Sequence, residues 1–245
     1  MHPLTDIIVL CYNNRSILPS FLKHLYNNTT NFNLIFVDNN SQDDSVEFIK
    51  EQQEKHDNIT VIRNQINRGV AGGRNDGIKA GKAEFVINLD SDQLPTKPNW
   101  LDELFVLIGK GFDFVGVEGW VLNPPTHPTL PYYPSKHCDN GYSKITYVGG
   151  GGCLMKRDVF EKLGYYDERF MFMYFEDPDI VLLALKNGYK VGWNWMHKIL
   201  HLGSATKTNY HRQQQFQKSY KLFKEKWHPW FPKPISMVDL NKWLK

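Results

Sequence analysis

A chain of 245 residues with 41% apolar and 14% aromatic content is long enough to close a sizeable core. Its three cysteines, Cys11, Cys138 and Cys153, are odd in number, far apart and free of Cys-x-x-Cys or histidine spacing, which excludes a disulfide framework and a zinc site. No stretch reaches the roughly 18–20 apolar residues that span a bilayer, and no basic run precedes an apolar one at the N-terminus, so a cytoplasmic protein is expected. The net charge of +3 is unevenly spread. From Lys186 onward twelve Lys/Arg stand against two acidic residues, which leaves −7 on the first 185 residues. The basic C-terminal part is therefore expected to meet an anionic partner, a membrane surface bound peripherally or a nucleic acid, or else to be a solvated helical face.

In chain order, Ile7-Ile8-Val9-Leu10-Cys11-Tyr12 is the short continuous apolar run required of a strand buried on both faces, and the turn-forming pair Asn13-Asn14 ends it. Leu18, Phe21, Leu22 and Leu25 then recur at helical spacing, with Ser16 as candidate cap. Asn33 to Asp38 repeats the strand pattern, and Asp43 or Asp44 opens a helix to about His56 with Val46 and Ile49 inward. Ile59-Thr60-Val61-Ile62 is a third strand; a glycine-rich loop follows it into a helix over Asn75 to Gly81, and Phe85 to Leu89 is the fourth strand. This alternation predicts an α/β fold, a Rossmann-like, mostly parallel sheet with helices on both faces, whose ligands bind at the carboxyl ends of the strands. Polar residues gather at those four ends: Asn13-Asn14, Asp38-Asn39-Asn40-Ser41, Asn67-Arg68-Gly69 and Asp90-Ser91-Asp92.

A helix is predicted from Trp100 to Ile108, after which the alternation gives way to Phe114 to Gly119, a semi-rigid loop carrying prolines 124, 125, 128, 131 and 134, and the glycine run Gly149 to Gly152. Lys190 to Trp195 is strand-like, and a last helix runs through Phe216, Tyr220, Phe223 and Trp227. Asp90 and Asp92, one residue apart at a strand end, suit the oxygen-rich shell of Mg²⁺ or Mn²⁺, although the same spacing also serves surface turns. Glu176-Asp177-Pro178-Asp179 opens an apolar helix, where acidic residues and a first-turn proline also serve capping.

These segments, in this order, resemble family 2 glycosyltransferases of the GT-A fold over roughly residues 5–203. The resemblance rests on Val9 to Asn13, Val37 to Asp43, Asn67 to Asn75, Leu89 to Asp92, Gly149 to Cys153 and Phe175 to Asp179. It implies a GT-A domain over 1–209, with a nucleotide-binding half to about 95 and an acceptor and catalytic half from about 96, then a basic C-terminal helical extension over 210–245. It further implies inverting, metal-dependent transfer from a nucleotide sugar, foremost a UDP-sugar, to a glycan, lipid-linked or other hydroxyl acceptor. Asp38 would accept the N3–H of a uracil or thymine base, a task for an ionised acceptor, unless it is a local Asx-turn residue. Asn13 and the glycine-rich segment with Asn67, Arg68 and Arg74 would hold the nucleotide. Asp90 would hold the ribose or assist the metal, Asp92 would ligate Mn²⁺ or Mg²⁺, and His201 would join them, unless it is a core histidine between Leu200 and Leu202. Asp177 would be the catalytic base, with Glu176 as its substitute, and Asp179 would cap or support the site. Gly150 and Gly151 would pass beneath the sugar, and Trp120, Trp193 and Trp195 either stack on sugar rings or belong to the core.

Two other readings fit part of the chain. A sugar-phosphate nucleotidyltransferase also combines a parallel sheet with acidic metal ligands, but its usual N-terminal Gly-x-Gly-x-Arg loop has no counterpart in Cys11 to Arg15. A nucleic-acid-binding module, or a glycosyltransferase acting on modified DNA, is favoured by the interleaving of His211, Arg212, Lys218, Lys221, Lys224 and Lys226 with Tyr210, Phe216, Tyr220 and Trp227.

Overall fold

The computed structural model describes residues 2–123, 127–131, 147–171, 173–194, 199–203 and 209–227. The first half alternates β1 (Thr5–Cys11), α1 (Leu18–Asn28), β2 (Phe32–Asp38), α2 (Ser45–Gln53), β3 (Ile59–Arg63), α3 (Gly69–Ala80), β4 (Phe85–Asp90) and the short β5 (Gln93–Pro95). Then come α4 (Trp100–Gly109), β6 (Phe114–Gly116), β7 (Gly119–Asn123), β8 (His127–Pro131), β9 (Tyr147–Val148), β10 (Cys153–Lys156) and α5 (Arg157–Leu163). The chain continues with α6 (Glu176–Lys186), β11 (Val191–Trp193), β12 (Ile199–His201) and α7 (Asn209–Trp227).

Seven strands form the central sheet in the order β11-β6-β10-β4-β1-β2-β3. All pairings are parallel except those of β10, which runs antiparallel to both β4 and β6. Strand period two sorts the core onto two faces. Ile7 and Val9 point toward α1, α2 and α4, packing with Phe21, Phe36, Ile49 and Trp100. Ile8 points the other way, toward α3, α5, α6 and α7, in a cluster with Ile78, Phe160, Val181 and Phe223. Strands from residues 1–95 and 96–209 share this one sheet, and α7 shares the second core cluster.

Three local expectations need correction. The helix after β1 starts at Leu18 with Ile17 as N-cap and no side-chain cap, so Ser16 does not cap it; Pro19 in the first turn pre-sets the backbone instead. The second helix ends at Gln53 rather than His56. The glycine-rich segment is not a loop leading to a helix at Asn75: α3 begins at Gly69 and the glycines lie inside it. They are there for packing, since a Cβ on Gly73 would collide with Leu10 and one on Gly77 with Ile8, so only hydrogen side chains let α3 lie this close to β1. Cys11 and Cys153 are buried free thiols; Cys138 and most of the proline-rich stretch lie outside the described residues.

Candidate active site

The loops at the carboxyl ends of the strands are tied to one another by short polar side chains. Asn13, at φ 54°, donates its N–H to Ser41 Oγ (2.9 Å) and accepts the Gln42 N–H on Oδ1 (2.7 Å). Asn14 donates to Ser91 Oγ (2.7 Å), which fastens the first loop to the segment between Asp90 and Asp92. Asn39 donates to Asn67 Oδ1 and to the Gly69 carbonyl. Asn13 and Asn67 thus brace the loops that surround the site.

Asp38 is fully buried, and both its oxygens lie 3.2 Å from the Ser41 amide nitrogen, the local turn role that the sequence left open. A base could reach this carboxylate only by displacing a neighbour, and Arg63, whose Nε is 3.9 Å away, is a half-exposed side chain beside it. Arg68 points elsewhere. Its guanidinium is held between Asp76 (2.5 Å) and Glu168 (2.6 Å), bracing α3 against the segment after α5.

Arg74 is the centre of the site. Buried to 3% exposure, it donates from Nη1 to Asp177 Oδ1 (2.7 Å) and from Nη2 to Asp90 Oδ1 (2.9 Å), with Glu176 Oε1 at 4.0 Å. One guanidinium therefore joins the end of β4 to the start of α6. Gly150 presses against this pair: its amide donates to Asp177, and a Cβ there would collide with both the Asp177 carboxylate and Arg74. A Cβ on Gly151 would collide with the Gln93 side chain, whose Oε1 accepts the Asp90 N–H (2.9 Å). What these two glycines accommodate is the site's own side chains.

Glu176 and Asp177 occupy the first turn of α6 in different environments. Burial and the neighbouring Asp177 charge push Glu176 up to about 8, and its Oε2 has no hydrogen-bond partner. Burial also raises Asp177, but Arg74 in direct contact and the Gly150 amide oppose it. Both adjacent carboxyls are thus shifted toward the protonated form by burial, and only Asp177 has a guanidinium in direct contact that favours its ionised form. Asp179, in the same turn, accepts from Trp227 Nε1 (2.8 Å) and Lys226 Nζ (2.8 Å), so it supports the site through α7.

Asp90, Asp92 and His201 each present a ligand atom, all within 4.8 Å of one another. His201 is not a core histidine: its side chain is 43% exposed and its Nε2 lies 3.3 Å from Asp92 Oδ1, a contact that raises its pKa. β12 brings it there by pairing antiparallel with β5, His201 opposite Gln93. Two carboxylate oxygens and an imidazole nitrogen form a donor set suited to a divalent cation such as Mn²⁺.

Trp193 is buried in the core, while Trp120 is half-buried, stacks on Tyr147 (6.3 Å between centroids) and borders Gly149; Trp195 lies outside the described residues. On α7, Phe223 and Trp227 face the core while Lys218, Lys221 and Lys224 are exposed. Lys218, Lys221 and Lys224 thus lie away from the buried rings, which cannot stack on nucleobases, while Lys226 is part-buried and pairs with Asp167 and Asp179. The side chains of Tyr210, His211 and Arg212, and residues 228–245, lie outside the described residues. Gln93 and Tyr147, a buried phenol whose pKa is raised by desolvation beside Asp177 and Glu176, were not singled out from sequence. The polar Gln93 directly after Asp92 was a usable signal; Tyr147 offered none.

A family model described as "Glycosyl transferase family 2" matches residues 6–164. The chain belongs to glycosyl transferase family 2. An uncharacterised glycosyltransferase of Haemophilus influenzae is 37% identical over 190 residues, covering 75% of this chain and 62% of that protein. The chain spans between 14% and 62% of the lengths of the first three curated relatives it matches. This family 2 member has the GT-A fold of two solved structures, which at such low identity inform on the fold alone. GalNAc-T7 with UDP, GalNAc and Mn²⁺ superposes at a TM-score of 0.72 and 14% identity, covering 98% of this chain and 54% of that one. A Pyrobaculum calidifontis mannosyltransferase in complex with GDP-Man and Mn²⁺ gives 0.68 and 17%, covering 87% and 60%. The family match includes Asp38, Arg74, Asp90, Asp92 and the glycine run, and stops short of Glu176, Asp177 and His201. Among the described residues no helix is long and apolar enough to cross a membrane.

Proposed function

We propose that this chain transfers a sugar, with inversion at the anomeric carbon, from a nucleotide sugar, foremost a UDP-sugar, to a hydroxyl of a glycan, lipid-linked or other acceptor. The observation that carries this reading is the single guanidinium of Arg74 holding Asp90 and Asp177 side by side. Asp90, Asp92 and His201 would hold a divalent cation, whose chemistry when bound is to offset the negative charge that builds on a departing nucleoside diphosphate. Asp177 takes the acceptor hydroxyl's proton as that oxygen bonds to the anomeric carbon, and the bond to the diphosphate breaks with its electron pair leaving on the diphosphate. Arg74 favours the ionised form of Asp177 and orients it, while Glu176, buried without a partner for Oε2, keeps its proton and leaves the base role to its neighbour. Family membership supports glycosyl transfer over nucleotidyl transfer. A donor screen tests the proposal: with Mn²⁺ present, thermal stabilisation and slow hydrolysis are expected with UDP-sugars ahead of GDP- and dTDP-sugars. Stabilisation by none of the three classes would refute it.

A further inference from the structure

Tyr174 and Phe175, the two residues before the Glu176-Asp177 pair, both have left-handed backbone, φ 77° and 70°. That region is costly for any residue with a Cβ and is normally filled by Gly or Asn, so two consecutive aromatic residues there persist only if their surroundings over-determine them. The surroundings are α7. Phe216 meets the Tyr174 ring edge-on at 5.5 Å and the Phe175 ring at 5.3 Å, and Phe223 lies 5.1 Å from Phe175. Ser219 Oγ donates to the Met173 carbonyl (3.0 Å), at the entrance to the turn. Trp227 Nε1 and Lys226 Nζ hold Asp179, two residues past Asp177. One face of α7 therefore grips the segment 173–179 on both sides of the acidic pair.

We infer that α7 is a positioning element: its aromatic face holds the left-handed Tyr174-Phe175 turn that delivers Asp177 to Arg74. The inference rests on Asp177 being the base. A glycine in the turn would relieve the strain but leave the direction of α6 loose; two anchored rings set that direction. Phe216 and Trp227 act through Asp177.

The test uses Phe216→Leu, which keeps the apolar volume and loses the ring, and Trp227→Phe, which keeps the ring and loses the bond to Asp179. Each is expected to lower turnover of the nucleotide sugar selected by the donor screen by about 10–100-fold with KM little changed. Affinity for UDP with Mn²⁺ should stay at the wild-type value, and amides of segment 173–179 should exchange with solvent about tenfold faster while those of α3 do not. Phe216→Tyr should restore both. Wild-type turnover together with wild-type exchange in both variants would overturn the inference. Asp177→Asn run in parallel separates the two failures: turnover in that variant sinks the base assignment, whereas a dead Asp177→Asn beside fully active α7 variants sinks only the positioning role.

Discussion

Two arginines, the part-buried Arg157 and the buried Arg74, stand near opposite ends of the central sheet. Arg157 serves Asp6, near the start of β1, and donates to the Ala83 and Ile78 carbonyls as well as to that carboxylate. Asp6 is fully occupied in turn, accepting from Asn33 Nδ2 (2.8 Å) and the Ala83 amide (2.9 Å). Arg74 faces three carboxylates, Asp177, Asp90 and Glu176, and one of their oxygens has no partner. The first cluster balances charge and gives both Asp6 oxygens hydrogen-bond partners, which is how a buried carboxylate serves a fold. The second keeps surplus negative charge beside a group of metal-binding geometry, an arrangement that costs stability and is retained where chemistry needs it.

The contrast can be broken from either end. The largest effect is expected from Asp177→Asn, which keeps the shape of the Arg74 cluster and removes the proposed base: transfer should fall by about 10²–10⁴-fold while UDP still binds with Mn²⁺. Near-normal turnover would take Asp177 out of the mechanism. At the other end, Arg157→Leu leaves Asp6 buried without its cation and should cost about 3–5 kcal/mol, a drop of roughly 6–20 °C in Tm, with nucleotide affinity intact in the folded fraction. Lost affinity at an unchanged Tm would erase the distinction between the two ends. Asp92→Ala should weaken UDP binding about tenfold or more in the presence of Mn²⁺ and not in its absence; equal affinities with and without metal would deny Asp92 a ligand role.

The smallest effect sharpens the contrast through pH. Glu176 has a folded-state pKa of about 8 against an ordinary 4.5. Below the ordinary value both states are protonated and its contribution to stability is fully present; as pH rises to about 8 the unfolded chain ionises first, and that contribution is lost. Glu176→Gln cannot ionise, so relative to the native chain it should gain Tm progressively as pH rises above 4.5 toward about 8.5 and gain nothing at about pH 4. A Tm difference independent of pH would mean that Glu176 titrates as an ordinary carboxyl.

The four strands and the acidic loops were legible because their signals are local. An apolar run of strand length, a period of two and a polar stop are written in adjacent residues, as are Asp90-Ser91-Asp92 and Glu176-Asp177. The start of α3 was misread because Gly69, Gly72 and Gly73 signal a loop by propensity, and only the nearness of Leu10 explains why a helix needs glycine there. His201 could be read as ligand or core until the pairing of β12 with β5 set it beside Asp92, exposed.

By itself, then, the sequence determined the first four strands, which of their ends are polar and which carboxylates are available, because hydrophobic periodicity and turn chemistry act over a few residues. By contrast β8, read as part of a proline-rich loop, is a strand paired with β7. Only the tertiary structure decided that Arg74 would join Asp90, 16 residues away, to Asp177, 103 residues away. It also decided that the aromatic face of α7 would close on the turn before Asp177. Contacts of that separation are set by how helices pack across a sheet, and no local pattern records them.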